Sequence, residues 1–246
     1  MALLPETAGR PTFGDYLKSG LAFARHNVNQ VFAGKFIYFV IAAVLLFLVM
    51  AVISAFDDPT PPTADTIYYF LLVPGMLLML YPSAYAIQAD ADAHMLETVF
   101  GIPDYRYKVW LVRNLIQYVV IALFLLGLAI LCRIGLADFS IGWMVFHVMF
   151  PIFFLSSLSF MIATITRSGN GTAAIIVVIA FLALIMAEWL SGSRWNIYHS
   201  PFEIVDPYEM AIWQETTLYN RVYLFVGGII ANMIALLRLQ KRERFV

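Results

Sequence analysis

Charged residues and cysteines are scarce in this sequence. Only 13% of its 246 residues are charged and 62% are hydrophobic, whereas soluble domains carry about 25% charged residues. The single cysteine, Cys132, excludes an intramolecular disulfide. The net charge of −1 creates no overall field that would attract nucleic acid, so no nucleic-acid partner is expected. These features exclude an ordinary soluble domain and predict a protein that shares its core with lipid.

Apolar blocks of membrane-spanning length make up most of the chain. About 20 apolar residues cross the ~30 Å hydrocarbon core as a helix, and these blocks lack the alternation of barrel strands. The sequence therefore predicts an all-α, polytopic membrane protein, with residues 1–246 forming one transmembrane domain. The predicted spans are residues 36–56, 67–87, 114–132, 141–165, 172–190 and 222–237, and an outer loop is predicted over residues 191–220.

The basic residues are distributed unevenly between the two sides of the predicted bundle. Arg133, Arg194 and Arg221 are predicted on one side, and the remaining twelve of the 15 basic residues on the other. Cytoplasmic loops carry the excess of Lys and Arg, so both termini are expected in the cytoplasm. The membrane that holds the protein is expected to be the inner membrane of the cell. The twelve are Arg10, Lys18, Arg25, Lys35, Arg106, Lys108, Arg113, Arg167, Arg238, Lys241, Arg242 and Arg244.

An amphipathic segment precedes the first span. Phe13, Leu17, Leu21 and Val28 recur at helical spacing and form one apolar face. The pattern predicts an interfacial helix over residues 13–33 that lies on the inner membrane surface.

Sequence signatures of catalysis and cofactor binding are missing. There is no Gly-rich phosphate loop ending in Lys-Ser or Lys-Thr, and no set of His, Cys, Asp or Glu has metal-ligand spacing. Only His147 among the four histidines lies inside a predicted span, where a lone histidine is usually structural. Glu188 and Arg221 lie near span ends, and no Asp, Glu, Lys or Arg lies near a span centre, which argues against a self-powered proton antiporter. We expect no enzyme activity, cofactor or metal on this chain.

Mildly polar residues inside the spans permit two interpretations. They could form hydrogen bonds between helices, or they could provide a weakly polar lining for an amphipathic cargo. These residues are Asn114, Gln117, Ser156, Ser157, Ser159, Thr164 and Asn232.

The segment after the second span carries the most informative pattern. Two aspartates and a Leu-Glu pair precede Pro103, and basic residues stand three and ten positions after it. Met95, Val99 and the Leu-Glu pair predict a short helix that ends near Gly101. Such a helix, with an apolar stripe and charged flanks, is typical of an element that docks a soluble partner. The residues of the pattern are Asp90, Asp92, Leu96, Glu97, Pro103, Arg106 and Arg113.

This pattern resembles the permease subunit of type-2 ABC exporters, in which the segment after span two runs acid-x-acid, Leu-Glu, Pro and then basic residues. Six spans with both ends inside and a preceding amphipathic helix fit the same family. Thr166-Arg167 is similar to its inner turn, and Asp206-Pro207-Tyr208 to its last outer loop. His94-Met95 stands where the family often has Gly-Thr, which indicates a divergent branch.

The resemblance implies a half-transporter that works as a homo- or heterodimer. A cytosolic coupling segment, residues 88–108, would dock a separate ABC ATPase subunit that binds ATP and Mg. Seven residues would orient this segment and transmit force without bond chemistry. They are Asp90, Asp92, Leu96, Glu97, Pro103, Arg106 and Arg113. The alternatives are a non-transporting structural subunit of a larger membrane complex and a membrane-embedded enzyme.

Overall fold

The computed structural model describes residues 36–57, 61–92 and 110–239, and the long regular elements in these ranges are all helices. The helices are α1 (Phe36–Asp57), α2 (Ala64–Asp92), α3 (Val112–Gly135), α4 (Ile141–Thr166), α5 (Gly169–Trp189) and α6 (Met210–Arg238). All six are long and apolar enough to cross a membrane. The predicted all-α class with six candidate spans is confirmed for these residues, while the interfacial helix predicted over residues 13–33 lies outside them.

Helix α4 occupies the centre of the bundle. It packs against α2, α3, α5 and α6, whereas α1 packs mainly against α2. Helices α2 and α4 bury more than half of their most apolar stretches, but α1 and α5 bury less than a fifth of theirs. The outward-facing side chains of α1 and α5 are large and apolar, as expected for surfaces that contact lipid.

Two glycines allow the central helices to approach closely. A Cβ atom on Gly75 of α2 would overlap Ile152 of α4, and a Cβ atom on Gly228 of α6 would overlap the ring of Phe153. Small residues at such crossings are the usual means by which membrane helices pack, because lipid supplies no hydrophobic force between them.

The two ends of the bundle differ in their connections. At one end, here called the turn end, Arg167 adopts a left-handed conformation (φ 55°) and terminates α4. Ser168 Oγ then accepts a hydrogen bond from the N–H of Gly171 and caps α5. At the opposite end, residues 190–209 form an irregular segment between α5 and α6. We call this segment the cap and this end of the bundle the cap end.

Helix α6 begins earlier than the sequence pattern predicts. The predicted span starts at residue 222, but the helix starts at Met210, so the loop predicted over residues 191–220 is confined to the cap. The first three turns escaped prediction because Gln214, Glu215 and Thr217 lower the local hydropathy. Arg221, predicted to flank the span, is in fact the twelfth residue of the helix and is buried.

Five of the seven polar residues inside the spans form hydrogen bonds between helices, whereas Thr164 donates to the Met161 carbonyl of its own helix. Asn232 of α6 donates to Ser157 of α4 (2.6 Å) and accepts from Asn114 of α3 (3.2 Å). Gln117 of α3 donates to Ser156 of α4 (3.1 Å). The first of the two interpretations, hydrogen bonding between helices, therefore describes these three contacts.

Candidate functional site at the cap end

The cap folds into the bundle instead of lying over it. Tyr198 is buried, and its hydroxyl donates to the carbonyl of Ala180 (3.0 Å), about three turns inside α5. The Tyr198 carbonyl in turn accepts from the hydroxyl of Tyr69 on α2 (3.3 Å). Burial raises the pKa of Tyr198 to about 12, so its hydroxyl stays protonated and available as a donor. The cap is thus anchored between α2 and α5.

Asn220 of α6 fixes the first half of the cap. Its side-chain amide donates to the carbonyls of Arg194 (2.9 Å) and Asn196 (2.8 Å). The Asn196 side chain then closes a local turn by accepting from the N–H of Tyr198 (3.0 Å). The Asn196 carbonyl also accepts from the N–H of His199 (3.2 Å). Backbone groups of the cap are satisfied in this way, which is what an irregular segment needs at membrane depth.

Arg221 is the centre of the cap-end cluster. Its side chain is 5% exposed. Nε donates to His147 Nδ1 of α4 (3.1 Å), Nη1 to Asn220 Oδ1 (2.9 Å), and Nη2 to the carbonyl of His199 in the cap (2.9 Å). One guanidinium therefore joins α4, α6 and the cap. Three of its five N–H donors are used in these bonds, and within the described ranges no carboxylate lies at ion-pair distance from it.

Aromatic rings and a second histidine enclose this guanidinium. The rings of Phe150 and Tyr68 lie 5.8 and 6.0 Å from its central carbon, within the range of cation–π attraction. His199 is buried, and its Nε2 shares a hydrogen bond with the hydroxyl of Thr217 (2.8 Å). Burial and, second, the charge of Arg221 lower the pKa of His199 to about 4. His199 is therefore neutral at pH 7.

The protonation of His147 follows from geometry. Its Nδ1 accepts the hydrogen bond from Arg221, so the ring is neutral and carries its proton on Nε2. Two neutral histidines and an arginine thus form a cluster with one positive charge. Among the residues that the structure describes, no group of three His, Cys, Asp or Glu side chains could hold a metal ion.

A groove of about 490 Å³ opens beside Arg221 between α4 and α6. Residues at helical spacing on the two helices form its walls, and Pro201 of the cap closes one end. The α4 wall consists of Trp143, Phe146, His147 and Phe150, and the α6 wall of Trp213, Gln214, Thr217, Leu218, Arg221, Val222 and Phe225. A polar base with one cation and apolar walls suits recognition of a ligand by charge and shape.

Two further cavities border the cap. One, of about 280 Å³, shares Trp213 with the groove and is lined by three carboxylates, those of Asp65, Glu188 and Glu203. The other, of about 330 Å³, lies among α1, α2, α4 and α5 and is almost entirely apolar. Positive and negative groups are thus separated into different cavities at the cap end.

The residues predicted to form the docking segment are only partly described. Asp90 and Asp92 lie in the last turn of α2, while Leu96, Glu97, Pro103 and Arg106 lie outside the described residues. Arg113 lies in the first turn of α3 and is buried, with its guanidinium 5.7 Å from the ring centre of Trp110. The prediction that the seven residues dock an ATPase stays a prediction.

Sequence reasoning missed the cluster around Arg221. Arg221 is separated from His147 by 74 residues and from His199 by 22, so no local motif connects them. Two signals pointed to it: His147 is the one histidine in a predicted span, and Arg221 adjoins an apolar block on the side that is poor in basic residues. No family model, no curated protein and no solved structure matches the chain.

Proposed function

We propose that this chain is the permease half of an ATP-driven type-2 ABC exporter, and that it docks a separate ATPase subunit through residues 88–108. The observation that carries the proposal is the acidic, Leu-Glu, Pro and basic pattern between the second and third of six apolar helices. ATP and Mg would bind to the partner ATPase. The chain would work in the inner membrane with a second permease subunit, and with both termini in the cytoplasm.

The geometry of α2 supports a docking element at the turn end. The apolar part of the helix ends at Tyr85, yet the helix continues to Asp92. Seven further residues extend it by about 10 Å. An aspartate-bearing extension of a membrane helix at the end that is richest in basic residues is what a cytosolic docking segment requires.

The segment between α2 and α3 leaves and re-enters the bundle at one packed cluster. Ile87 of α2 and Trp110, just before α3, belong to one buried apolar cluster. The same cluster contains Phe160 of α4 and Ala235 of α6. Trp110 is fully buried, and its ring lies 5.7 Å from that of Phe160. Both ends of the segment therefore pack into a cluster that also includes α4 and α6. Movement that a partner imposes on the segment would be transmitted through this cluster to the whole bundle.

A hydrogen-bonded link extends this base to α5. Gln88 Oε1 accepts from the N–H of Gly169 (2.6 Å), and Tyr85 donates to Asn170. Gly169 and Asn170 form the first turn of α5. Movement of residues 88–108 would therefore be transmitted directly to α5. This helix is the least buried of the six, and its exposed surface would face lipid or a second permease subunit.

Co-purification tests the proposal. The tagged chain, extracted gently from its native membrane, should carry a stoichiometric ATPase subunit. The double variant Leu96→Ala/Glu97→Gln should lose that subunit, or should retain it and lose the coupling of ATP hydrolysis to transport, without a change in helix content. The matched control is Ile204→Ala/Glu209→Gln, which alters an exposed apolar and an exposed acidic residue in the cap.

The outcomes separate the candidate functions. Equal loss in the test and control variants would indicate a general defect and count against docking at residues 88–108. Recovery of other membrane subunits without an ATPase would favour a structural subunit. A cofactor or metal bound to the purified chain would favour a membrane-embedded enzyme.

A further inference from the structure

Beyond the proposed transport function, and independently of it, we propose that the groove between α4 and α6 binds an anionic phospholipid, with Arg221 holding the phosphate of the head group. The ligand chemistry is that of an acyl-chain amphiphile with a negative head. The charge at the base of the groove, its apolar walls and its depth each favour this ligand.

Among the residues that the structure describes, no carboxylate lies at ion-pair distance from Arg221. Its three hydrogen-bond acceptors are a neutral imidazole, an amide oxygen and a backbone carbonyl. These three bonds leave a second N–H on each terminal nitrogen, beside the buried hydroxyl of Tyr68, and paired N–H groups are the means by which arginine holds phosphate or carboxylate. None of the residues lining the groove is acidic, so an incoming anion meets no repulsion there.

A buried cation at membrane depth calls for an explanation. An arginine inside a membrane helix costs at least about 2.5–3.5 kcal/mol and almost always faces an interior partner, a cavity or a head group. The carboxylates of Asp65, Glu188 and Glu203 line the neighbouring cavity and not the groove. An anionic ligand in the groove would therefore neutralise the charge of Arg221.

The walls of the groove select for a lipid over a small anion. Phe146, Leu218, Val222 and Phe225 line it and are each about half exposed on the bundle surface. Phe146 and Leu218 flank Arg221 on its cap-end side, and Val222 and Phe225 follow it along α6 toward the membrane interior. Acyl chains would cover this surface, whereas free phosphate would leave it bare and would have to lose its own hydration.

The depth of Arg221 fits a head-group phosphate. Trp143 lies one helical turn before His147 on α4, about 6 Å nearer the cap end, and it is 56% exposed. Exposed tryptophans mark the membrane–water interface. A guanidinium one turn below that level can reach the phosphate of a lipid while the acyl chains follow α4 and α6 inward.

Lipid titration followed by native mass spectrometry tests this site. The delipidated chain in detergent is titrated with dioleoylphosphatidylglycerol or with dioleoylphosphatidylcholine, which has the same tails and no net charge. The wild-type chain should bind the anionic lipid about tenfold more tightly, since a hydrogen bond to a charged group is worth about that factor. Arg221→Gln should abolish the preference.

Two further variants keep the test decisive. Leu218→Trp narrows the groove from its exposed wall and leaves the Arg221 bonds intact, so it should weaken binding of the anionic lipid about tenfold even if Arg221→Gln fails to fold. Arg133→Gln removes a cation at the same end of the bundle, outside the groove, and should leave the preference unchanged.

The opposite results would overturn the proposal. Equal binding of the two lipids by the wild-type chain, or a preference that survives in folded Arg221→Gln, would remove Arg221 as the anion site. Full competition by millimolar inorganic phosphate would show that the groove takes a free anion and not a lipid. Loss of ATPase docking at residues 88–108 would leave the lipid result unaffected, so the two proposals fail separately.

Discussion

The cap end and the turn end of the bundle are stabilised in different ways. At the cap end, one buried guanidinium joins two helices and an irregular segment through three hydrogen bonds. At the turn end, Trp110, Phe160 and Ala235 pack around the return of the chain into α3. A network of specific bonds loses stability abruptly when one member is removed, whereas apolar packing adapts to small changes in shape. The cap end is therefore the more specific of the two ends and the less tolerant of substitution.

The largest expected effect is that of Arg221→Met. It leaves the acceptors on His147, Asn220 and His199 without a donor, which costs about 2 kcal/mol for each group. Removal of the buried charge returns about 3 kcal/mol, so the expected net loss is about 3 kcal/mol. The turn-end counterpart, Phe160→Leu, should cost about 1 kcal/mol because it preserves apolar packing. Free energies of unfolding from SDS titration in mixed micelles measure both. Equal losses would contradict the contrast between the two ends.

The next effect concerns the α4–α6 crossing that joins the two ends. A methyl group on Gly228 would overlap the ring of Phe153, so Gly228→Ala should destabilise the chain by about 1–3 kcal/mol through overpacking. The control is Gly127→Ala on α3, where a Cβ atom meets open space and the change should be neutral or slightly stabilising. Thermal unfolding of the two variants makes the comparison. A Gly228→Ala variant as stable as Gly127→Ala would mean that the crossing can move apart freely.

A smaller effect is expected halfway along the bundle. Asn232→Leu removes hydrogen bonds to Ser157 and Asn114, and bonds between membrane helices are worth about 0.6 kcal/mol each. The expected loss is therefore about 1 kcal/mol. The double variant Asn232→Leu/Ser157→Ala should lose less than the sum of the single variants, which a double-mutant cycle would show. Strict additivity would indicate that the two side chains do not interact.

The smallest effect at neutral pH is expected for His199→Gln, and it should grow in acid. Burial lowers the pKa of His199 to about 4, so the unfolded chain binds a proton at a higher pH than the folded chain. The stability that neutral His199 contributes is complete above about pH 6.5 and is lost as the pH falls toward 4. Unfolding midpoints between pH 7 and pH 4 should fall more steeply for the wild-type chain than for the variant. Parallel curves would show that His199 does not control the acid sensitivity of the cap.

Sequence patterns predicted the helices far better than the cluster at the cap end. Spans were predictable because lipid forces long apolar runs, which are local features of the chain. The first turns of α6 were missed because Glu215 and its polar neighbours interrupt the apolar run, although these turns are helical. The Arg221 cluster was missed for a different reason, since His147 and His199 reach it only through the packing of α4 and the folding of the cap. Long-range polar contacts of this kind leave no periodic signal in a single sequence.

The alternation of burial along the chain has a consequence for biosynthesis. The odd-numbered helices α1, α3 and α5 are the most apolar of the six, and each is followed by a less apolar and more buried even-numbered helix. During insertion by a ribosome-bound translocon, each odd-numbered helix can partition into lipid alone, while its successor requires the preceding helix as a partner. The chain would therefore enter the membrane as three helical hairpins. In the last of them, the cap would form the tip of the hairpin and would already be bonded to both α5 and α6.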